Sequence, residues 1–181
     1  EHQFNAMGVN IKYRPSAFEQ SLATLRALWR GESVSLEGRW VFEKAKIAPL
    51  PPEDISIWIG ASAPVAIERA ARLGDAWLAE PGTTIKEAAQ ALTIYNEALA
   101  RLDKEVPKTV AIRRDIYVAD SDKDARHVRQ IVEDNGYRGF DPDALVIGDV
   151  SSVADTFNSI GELGYTDIIV RNLHSVGETA V

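Results

Sequence analysis

The sequence predicts an α/β fold in which parallel strands are covered by helices and a β-hairpin is inserted ahead of the sheet. Three observations predict it. Apolar runs at 55–59, 75–79, 108–119 and 166–171 have the length and composition of buried strands. Segments of helical period separate them, each marked by its own start or stop residue. Strands joined through helices cross over right-handedly and lie parallel in one sheet. Four such strands are half of an eight-stranded barrel and few for an open sheet with helices on one side. The count favours half of a (β/α)8 TIM barrel forming a single domain over residues 1–181. A small open sheet, complete in itself, is the alternative it leaves open.

The helix starts are well marked. Ser16 and Glu19 have the spacing of a capping box, and Phe18, Leu22, Leu25 and Trp29 recur at helical period before Gly31, which predicts a helix over 16–30. Two short β-type runs flank Glu37-Gly38 in ESVSLEGRWVFE, a hairpin pattern. Pro49, Pro51 and Pro52 make a stiff connector to the strand at 55–59. Pro64 then opens a helix that Gly74 ends. Thr84 and Glu87 box the next, whose apolar face runs through Ile85, Ala88, Leu92, Tyr95 or Asn96, Leu99 and Leu102. Ser121 or Asp122 starts a helix ending near Asn135-Gly136. After a looser stretch, YRGFDPDALVIGDV, Ser152 and Asp155 open the last helix, bearing Val153, Phe157, Ile160 and Leu163 and closed by Gly164.

Composition narrows the function classes. The 181 residues are 45% hydrophobic, enough for a sizeable core. A net charge of −7 with no clustered basic run argues against a nucleic-acid partner, and no apolar run reaches a membrane span. There is no Cys, which removes disulfides, thiol nucleophiles and Cys-ligated metals, and no His and carboxylates share ligand spacing. The absence of Cys and of a signal peptide fits a cytoplasmic location. The opening EHQFNAMGVN has neither an initiator Met nor a starting strand, the pattern expected of a chain that begins inside a longer fold.

The strand ISIWIGASAP empties itself of side chains at its C-terminal end, where parallel α/β folds bind ligands. Gly60, Ala61, Ser62 and Ala63 let a ligand approach the backbone, and the amides of the helix begun by Pro64 attract an anion such as phosphate. Ser62 is positioned to cap that helix and to donate to a phosphate oxygen. An ordinary helix start without ligand explains the same residues equally well.

The stretch IWIGASAPVAIERAARLGDAWL resembles the signature of the bacterial luciferase-like monooxygenase superfamily, with a fifth barrel strand ending in a small-residue loop and a sixth of Gly-Asp-x-Trp type. FNAMGVNIKYRPSAFEQSLATLRALWRGESVSLEGRWVFEKAKIAPLP is similar to the helix, hairpin and Pro-rich connector before that strand, and DALVIGDVSSVADTFNSIGELGYTDIIVRNLH to the last helix and eighth strand. The likeness covers nearly the whole chain and only the C-terminal half of a family member. It implies a barrel that binds flavin mononucleotide (FMN) or a deazaflavin coenzyme, reduced by a partner such as a flavin reductase or by substrate, for monooxygenation or hydride transfer on a small molecule. It also implies that Gly60, Ala61, Ser62 and Ala63 lie against the ring and phosphate, with Ala79, Glu80 and Pro81 next around the barrel mouth. Other cofactor contacts and most catalytic groups of the family belong to its first four strands.

Other candidates have plainer readings beside the functional one. Arg171, Asn172 and His174 follow the last strand, where a substrate or cofactor contact and a surface position are both open. His127 lies on an Arg-rich helix face and reads as solvated, and His2 lies in initial coil. Arg113, Arg114 and Asp115 sit on a strand that sends one Arg to each face, where one meets an anionic ligand or makes an outward salt bridge to a covering helix. Trp58 and Trp77 are expected in the core, and Trp40 at an edge or against a neighbouring subunit. Half a barrel leaves two unpaired edges, at 55–59 and 166–170, which predicts a homo-oligomer closed edge to edge. A catalytically silent half barrel that pairs through those edges is the alternative to an enzyme.

Overall fold

The computed structural model describes residues 2–173. The chain forms two compact units, Glu1–Ile55 and Ser56–Val181.

The first unit begins with α1 (His2–Ala6), so His2 lies in a helix where coil was expected. A 3-10 turn, Ile11–Tyr13, follows, with the Asn10 side chain accepting the Lys12 amide at 3.0 Å. Next comes α2 (Arg14–Trp29), with Tyr13 at its N-cap and no side-chain cap. The capping box expected from Ser16 and Glu19 therefore does not set this start. Pro15 does, because its missing N–H and fixed φ suit a first turn. Ser16 is already helical and donates its hydroxyl to the Tyr13 carbonyl at 3.0 Å. The hairpin pairs β1 (Val34–Leu36) with β2 (Phe42–Ala45), antiparallel as expected. Within its loop Arg39 bonds the Ser16 hydroxyl at 2.9 Å and stacks over Tyr13 and Trp40. That stacking gives Trp40 a partner of its own in the unit.

The second unit alternates strand and helix: β3 (Trp58–Ala61), α3 (Pro64–Leu73), β4 (Ala76–Ala79), α4 (Ile85–Arg101), β5 (Val110–Val118), α5 (Asp122–Asn135), β6 (Val146–Gly148), α6 (Val150–Leu163) and β7 (Asp167–Asn172). Every strand pair in its sheet is parallel. β5 is the hub: its residues 110–112 pair with β4, 111–116 with β7 and 116–118 with β6. Because Ile116 pairs with both Val146 and Asn172, β6 and β7 flank opposite sides of β5. β6 thus continues the β4 side, and among the described residues β3, β6 and β7 each pair with a single strand.

Two boundaries move for identifiable reasons. The strand expected at 55–59 begins at Trp58 and runs to Ala61. Asp75 takes Ile57 out of the ladder: its carboxylate accepts the Ile57 amide at 2.8 Å, and its own amide donates to the Ile57 carbonyl at 2.9 Å. The last helix is opened by Asp149, whose carboxylate accepts the Ser152 amide at 2.8 Å, three residues before the start expected at Ser152. The loose stretch from 137 conceals a 3-10 turn, Pro142–Ala144, and β6. The capping box at Thr84 and Glu87 forms as the spacing predicts, and Ser121 caps α5.

The core between sheet and helices centres on Trp77, which stacks on Tyr95 of α4 at 4.8 Å between centroids and lies 6.0 Å from Tyr165. Trp58, expected in the core, is 42% exposed. It stands on β3 beside Ile59, which is buried, so strand alternation turns Trp58 away from the helices. Among the described residues, no helix is long and apolar enough to cross a membrane.

Candidate functional site

The alternation of the strands sorts their side chains onto two faces. Trp77 pairs with Val110 and Ala79 with Ile112, so these four and Arg114, two positions on, share the face that α4 covers, while α5 packs on the other face over Tyr117 and Leu173. Gly60, Leu78, Ala111, Arg113, Asp115, Ile169 and Arg171 share the opposite face.

Gly60 and Ala61 are the last residues of β3, aligned with Leu78 and Ala79 of β4. Gly60 is exposed, and a Cβ built on it meets no atom of the described residues within 4 Å. The backbone is open there. Behind it, the Trp77 indole N–H donates to the Ala61 carbonyl at 3.0 Å and fixes the strand end from the helix side. Ser62 and Ala63 are exposed and lead into α3. Ala63 is the N-cap without any side-chain bond, so Ser62 does not cap this helix, contrary to expectation. The N-cap needs no side chain because Pro64 has no N–H to satisfy and the Ala66 and Ile67 amides donate to the Ala63 carbonyl at 2.8 and 2.9 Å. The first turn therefore offers few uncommitted amides, and the Ser62 hydroxyl is not spent on it.

At the end of β4, Ala79 is buried toward the helices, Glu80 is exposed and Pro81 is half-buried. The Pro81 carbonyl accepts from Arg114 Nη1 at 3.1 Å. Arg114 is 1% exposed, and its Nε and Nη2 have no hydrogen-bond partner among the described residues. Burial pulls its pKa down, opposed by Tyr165. Arg114 thus braces the loop after β4 from inside the helix layer.

The opposite face of β5 carries a different arrangement. Asp115, fully buried, accepts Arg113 Nε at 2.9 Å and Nη2 at 3.5 Å, and the Tyr137 hydroxyl at 2.8 Å. This ion pair lies within one strand, not between strand and covering helix. Burial and then the bond to Asp115 push the Tyr137 pKa up, while Arg171 and Arg138 pull it down. Phe140 packs on the loop after β4: a Cβ on Gly82 would lie 2.6 Å from its ring. Tyr137, Arg138 and Phe140 escaped the sequence reading. Their only signal was the aromatic-basic string YRGF directly after the helix stop at Gly136.

Arg171 and Asn172 end β7 and are exposed; His174 lies outside the described residues. His127 is exposed on α5.

A model of the luciferase-like monooxygenase family matches residues 1–165. Over 72 residues the chain is 35% identical to an F420-dependent glucose-6-phosphate dehydrogenase of Nakamurella multipartita, a match covering 39% of this chain and 21% of the dehydrogenase. The monooxygenase RslO1 of Streptomyces bottropensis superposes with a TM-score of 0.76 at 19% identity, over 94% of this chain and 57% of that one. The oxygenating constituent of 3,6-diketocamphane monooxygenase from Pseudomonas putida, a type II Baeyer-Villiger monooxygenase solved with FMN, gives 0.64 at 16% identity over 90% and 57%. The chain therefore spans little more than half the length of the two monooxygenases, and its match about a fifth of the dehydrogenase. Sheet order, helix cover and a family match reaching from residue 1 to residue 165 agree: the chain belongs to the luciferase-like monooxygenase family.

Proposed function

We propose that this chain supplies the C-terminal half of the cofactor site of a flavin- or deazaflavin-dependent oxidoreductase or monooxygenase. The observation that supports this best is the open backbone at Gly60, at the C-terminal end of an outer parallel strand, where a planar ring meets no side chain. In the family, the matched dehydrogenase is F420-dependent and a solved fold neighbour holds FMN. The bound coenzyme supplies the hydride or oxygen chemistry. This chain's residues bind and orient it. Gly60 and Ala61 present backbone to the ring, while Ser62, Ala63 and the Val65 amide, the first-turn N–H that neither Pro64 nor the Ala63 carbonyl removes, donate to the phosphate. Ala79, Glu80 and Pro81 border the same mouth through their backbone. Trp77 and Arg114 keep the Ala61 and Pro81 carbonyls turned toward the helices, so these oxygens do not face the anion. A small molecule is the substrate, and a flavin reductase is the partner where FMN arrives reduced.

The alternative is a catalytically silent half barrel that assembles through the outer strands β3 and β7. Titration of the full chain with FMN and with F420, followed by coenzyme fluorescence, separates the two. Saturable 1:1 binding abolished by Gly60→Trp supports the cofactor site; no binding of either coenzyme supports the silent module.

A further inference from the structure

The Arg113 side of β5 lies at the same mouth and has no part in the coenzyme contacts above. β4 ends at the Ala79–Ile112 pair, so Arg113 and Asp115 stand beyond it, level with the loop after β4. Arg171 of β7 is the register partner of Asp115. Arg138 comes from the loop after α5, and its guanidinium lies 5.8 Å from the Phe140 ring centre; that of Arg113 lies 5.9 Å from the same ring. Two guanidinium groups, those of Arg113 and Arg138, thus flank one aromatic ring, and Arg171 together with Arg138 acts electrostatically on the Tyr137 hydroxyl. Among the described residues the carboxylate hydrogen-bonded within this group is Asp115, fully buried and already shared by Arg113 and Tyr137. The adjacent Asp141 is committed to its own turn, accepting the Asp143 amide at 2.8 Å.

The loop holding Arg138 is also strained. Arg138 sits at φ +55, where a glycine would rest more easily, and Gly139 follows at φ +71. A non-glycine residue held there costs on the order of 1 kcal/mol, and such outliers concentrate at binding sites.

We infer that Arg113, Arg138 and Arg171, organised around the Asp115–Tyr137 hydrogen bond, bind the oxoanion of an anionic substrate: a carboxylate, phosphate or sulfonate. The planar fork of a guanidinium matches such oxygens bidentately, and Asp115 holds Arg113 in one rotamer so that little freedom is lost on binding. Phe140 supplies a flat apolar wall for the part of the substrate next to the charge. Arg138 and Arg171, exposed, close over it. Two to three strand spacings of ~4.8 Å across the sheet, roughly 10 to 14 Å, and a further two to four residues along it separate this cluster from Gly60, which leaves room for a coenzyme ring between them. That the anion belongs to a substrate rests on the coenzyme reading; the oxoanion site itself does not.

The test is a titration of the full chain with inorganic phosphate and with glutarate, read from the arginine Nε–H resonances by 1H-15N NMR, with glutaramide as the neutral control. Saturable shifts at Arg113, Arg138 and Arg171 are expected with both anions and not with glutaramide. Arg101, which pairs with Glu68 at 2.8 Å in the groove between α3 and α4, should stay still. The Arg138→Gln/Arg171→Gln double variant alters two exposed side chains, and its fold is checked by circular dichroism. Its phosphate affinity should fall about tenfold or more, since charged hydrogen bonds are lost. Equal shifts at Arg101, or unchanged affinity in the double variant, would overturn the site. Displacement of phosphate by FMN or F420 would overturn its assignment to the substrate. Phosphate binding in a chain that binds neither coenzyme would uphold the oxoanion site and sink the coenzyme reading alone.

Discussion

Arg114 donates from Nη1 to the carbonyl of Pro81 at 3.1 Å, tying the middle of β5 to the loop after β4 from inside the helix layer. A buried guanidinium with a single acceptor among the described residues is an expensive brace, because two of its nitrogens have given up water for nothing. Stability and positioning should therefore separate. Arg114→Met keeps the volume and discards the charge, so urea unfolding should show stability unchanged within about 1 kcal/mol, or raised. Coenzyme affinity should weaken as the Pro81 loop is released. Arg114→Ala, which leaves a void, should lose about 2 to 5 kcal/mol of stability. A Met variant as damaged as the Ala variant would show that the charge stabilises the fold.

Gly60 and Gly82 lie in comparable places, at or just past a strand end, yet they should respond oppositely to the same substitution. No atom of the described residues lies within 4 Å of a Cβ on Gly60, whereas one on Gly82 strikes the Phe140 ring at 2.6 Å. Gly60→Ala should be stabilising by about 0.5 to 1 kcal/mol, because a strand glycine loses entropy without packing. Gly82→Ala should cost about 1 to 3 kcal/mol as Phe140 is pushed aside. The same ring walls the arginine cluster, so Gly82→Ala should also weaken phosphate binding, read by the NMR titration above. Equal thermal shifts for the two variants would contradict the difference in space.

Much of this architecture was legible because the chain punctuates it. Thr84 with Glu87, Ser121, Pro64 and Gly164 mark their helix ends as spacing predicts, and the parallel sheet follows from the alternation. Misreadings arose where two signals competed. Ser16 looked like a cap until Pro15 claimed the first turn, and Ser152 like a start until Asp149 did. β6 was missed because three residues carry too little periodicity to register. The small-residue mouth at Gly60 was visible as a gap in side chains. The arginine cluster was not, because the Arg113–Asp115–Tyr137 contacts join residues 22 positions apart through a loop whose shape no local pattern encodes.

Tyr95 and Tyr165 line the same core around Trp77 and differ in one bond. The Tyr165 hydroxyl donates to the Ala88 carbonyl at 3.0 Å, while that of Tyr95 is buried without a partner among the described residues. Tyr95→Phe removes an unsatisfied group and should raise stability by up to about 1 kcal/mol; Tyr165→Phe removes a bond and should cost about 1 kcal/mol. Burial raises both pKa values above the ordinary 10.0. In the unfolded chain these hydroxyls ionise near pH 10 while the folded ones stay protonated. Their contribution is therefore complete below about pH 10 and is lost as pH rises beyond it. Urea midpoints measured from about pH 8 to pH 11 should fall less steeply in either Phe variant than in the parent. Identical alkaline slopes would mean that neither hydroxyl is shielded from solvent.

The outer strands set the last expectation. Among the described residues β3 pairs only with β4, and β7 only with β5. β7 also exposes Ile169 and Val170, at 39% and 48%, between the charged Asp167 and Arg171. An apolar edge with free backbone donors and acceptors is a template for another strand, and charges at its two ends blunt it only partly. Association that grows with concentration is therefore expected in light scattering at micromolar protein. Ile169→Lys should suppress it, because a charge at the centre of the edge must be desolvated for pairing while remaining solvated in the monomer. Ile169 lies two residues from Arg171 on the same face, so the variant adds positive charge near the arginine cluster and should not weaken phosphate binding. Loss of association with phosphate binding intact would assign the two properties to different parts of β7: its edge and its mouth. A chain that stays monomeric before substitution would leave the edge without a partner of its own kind.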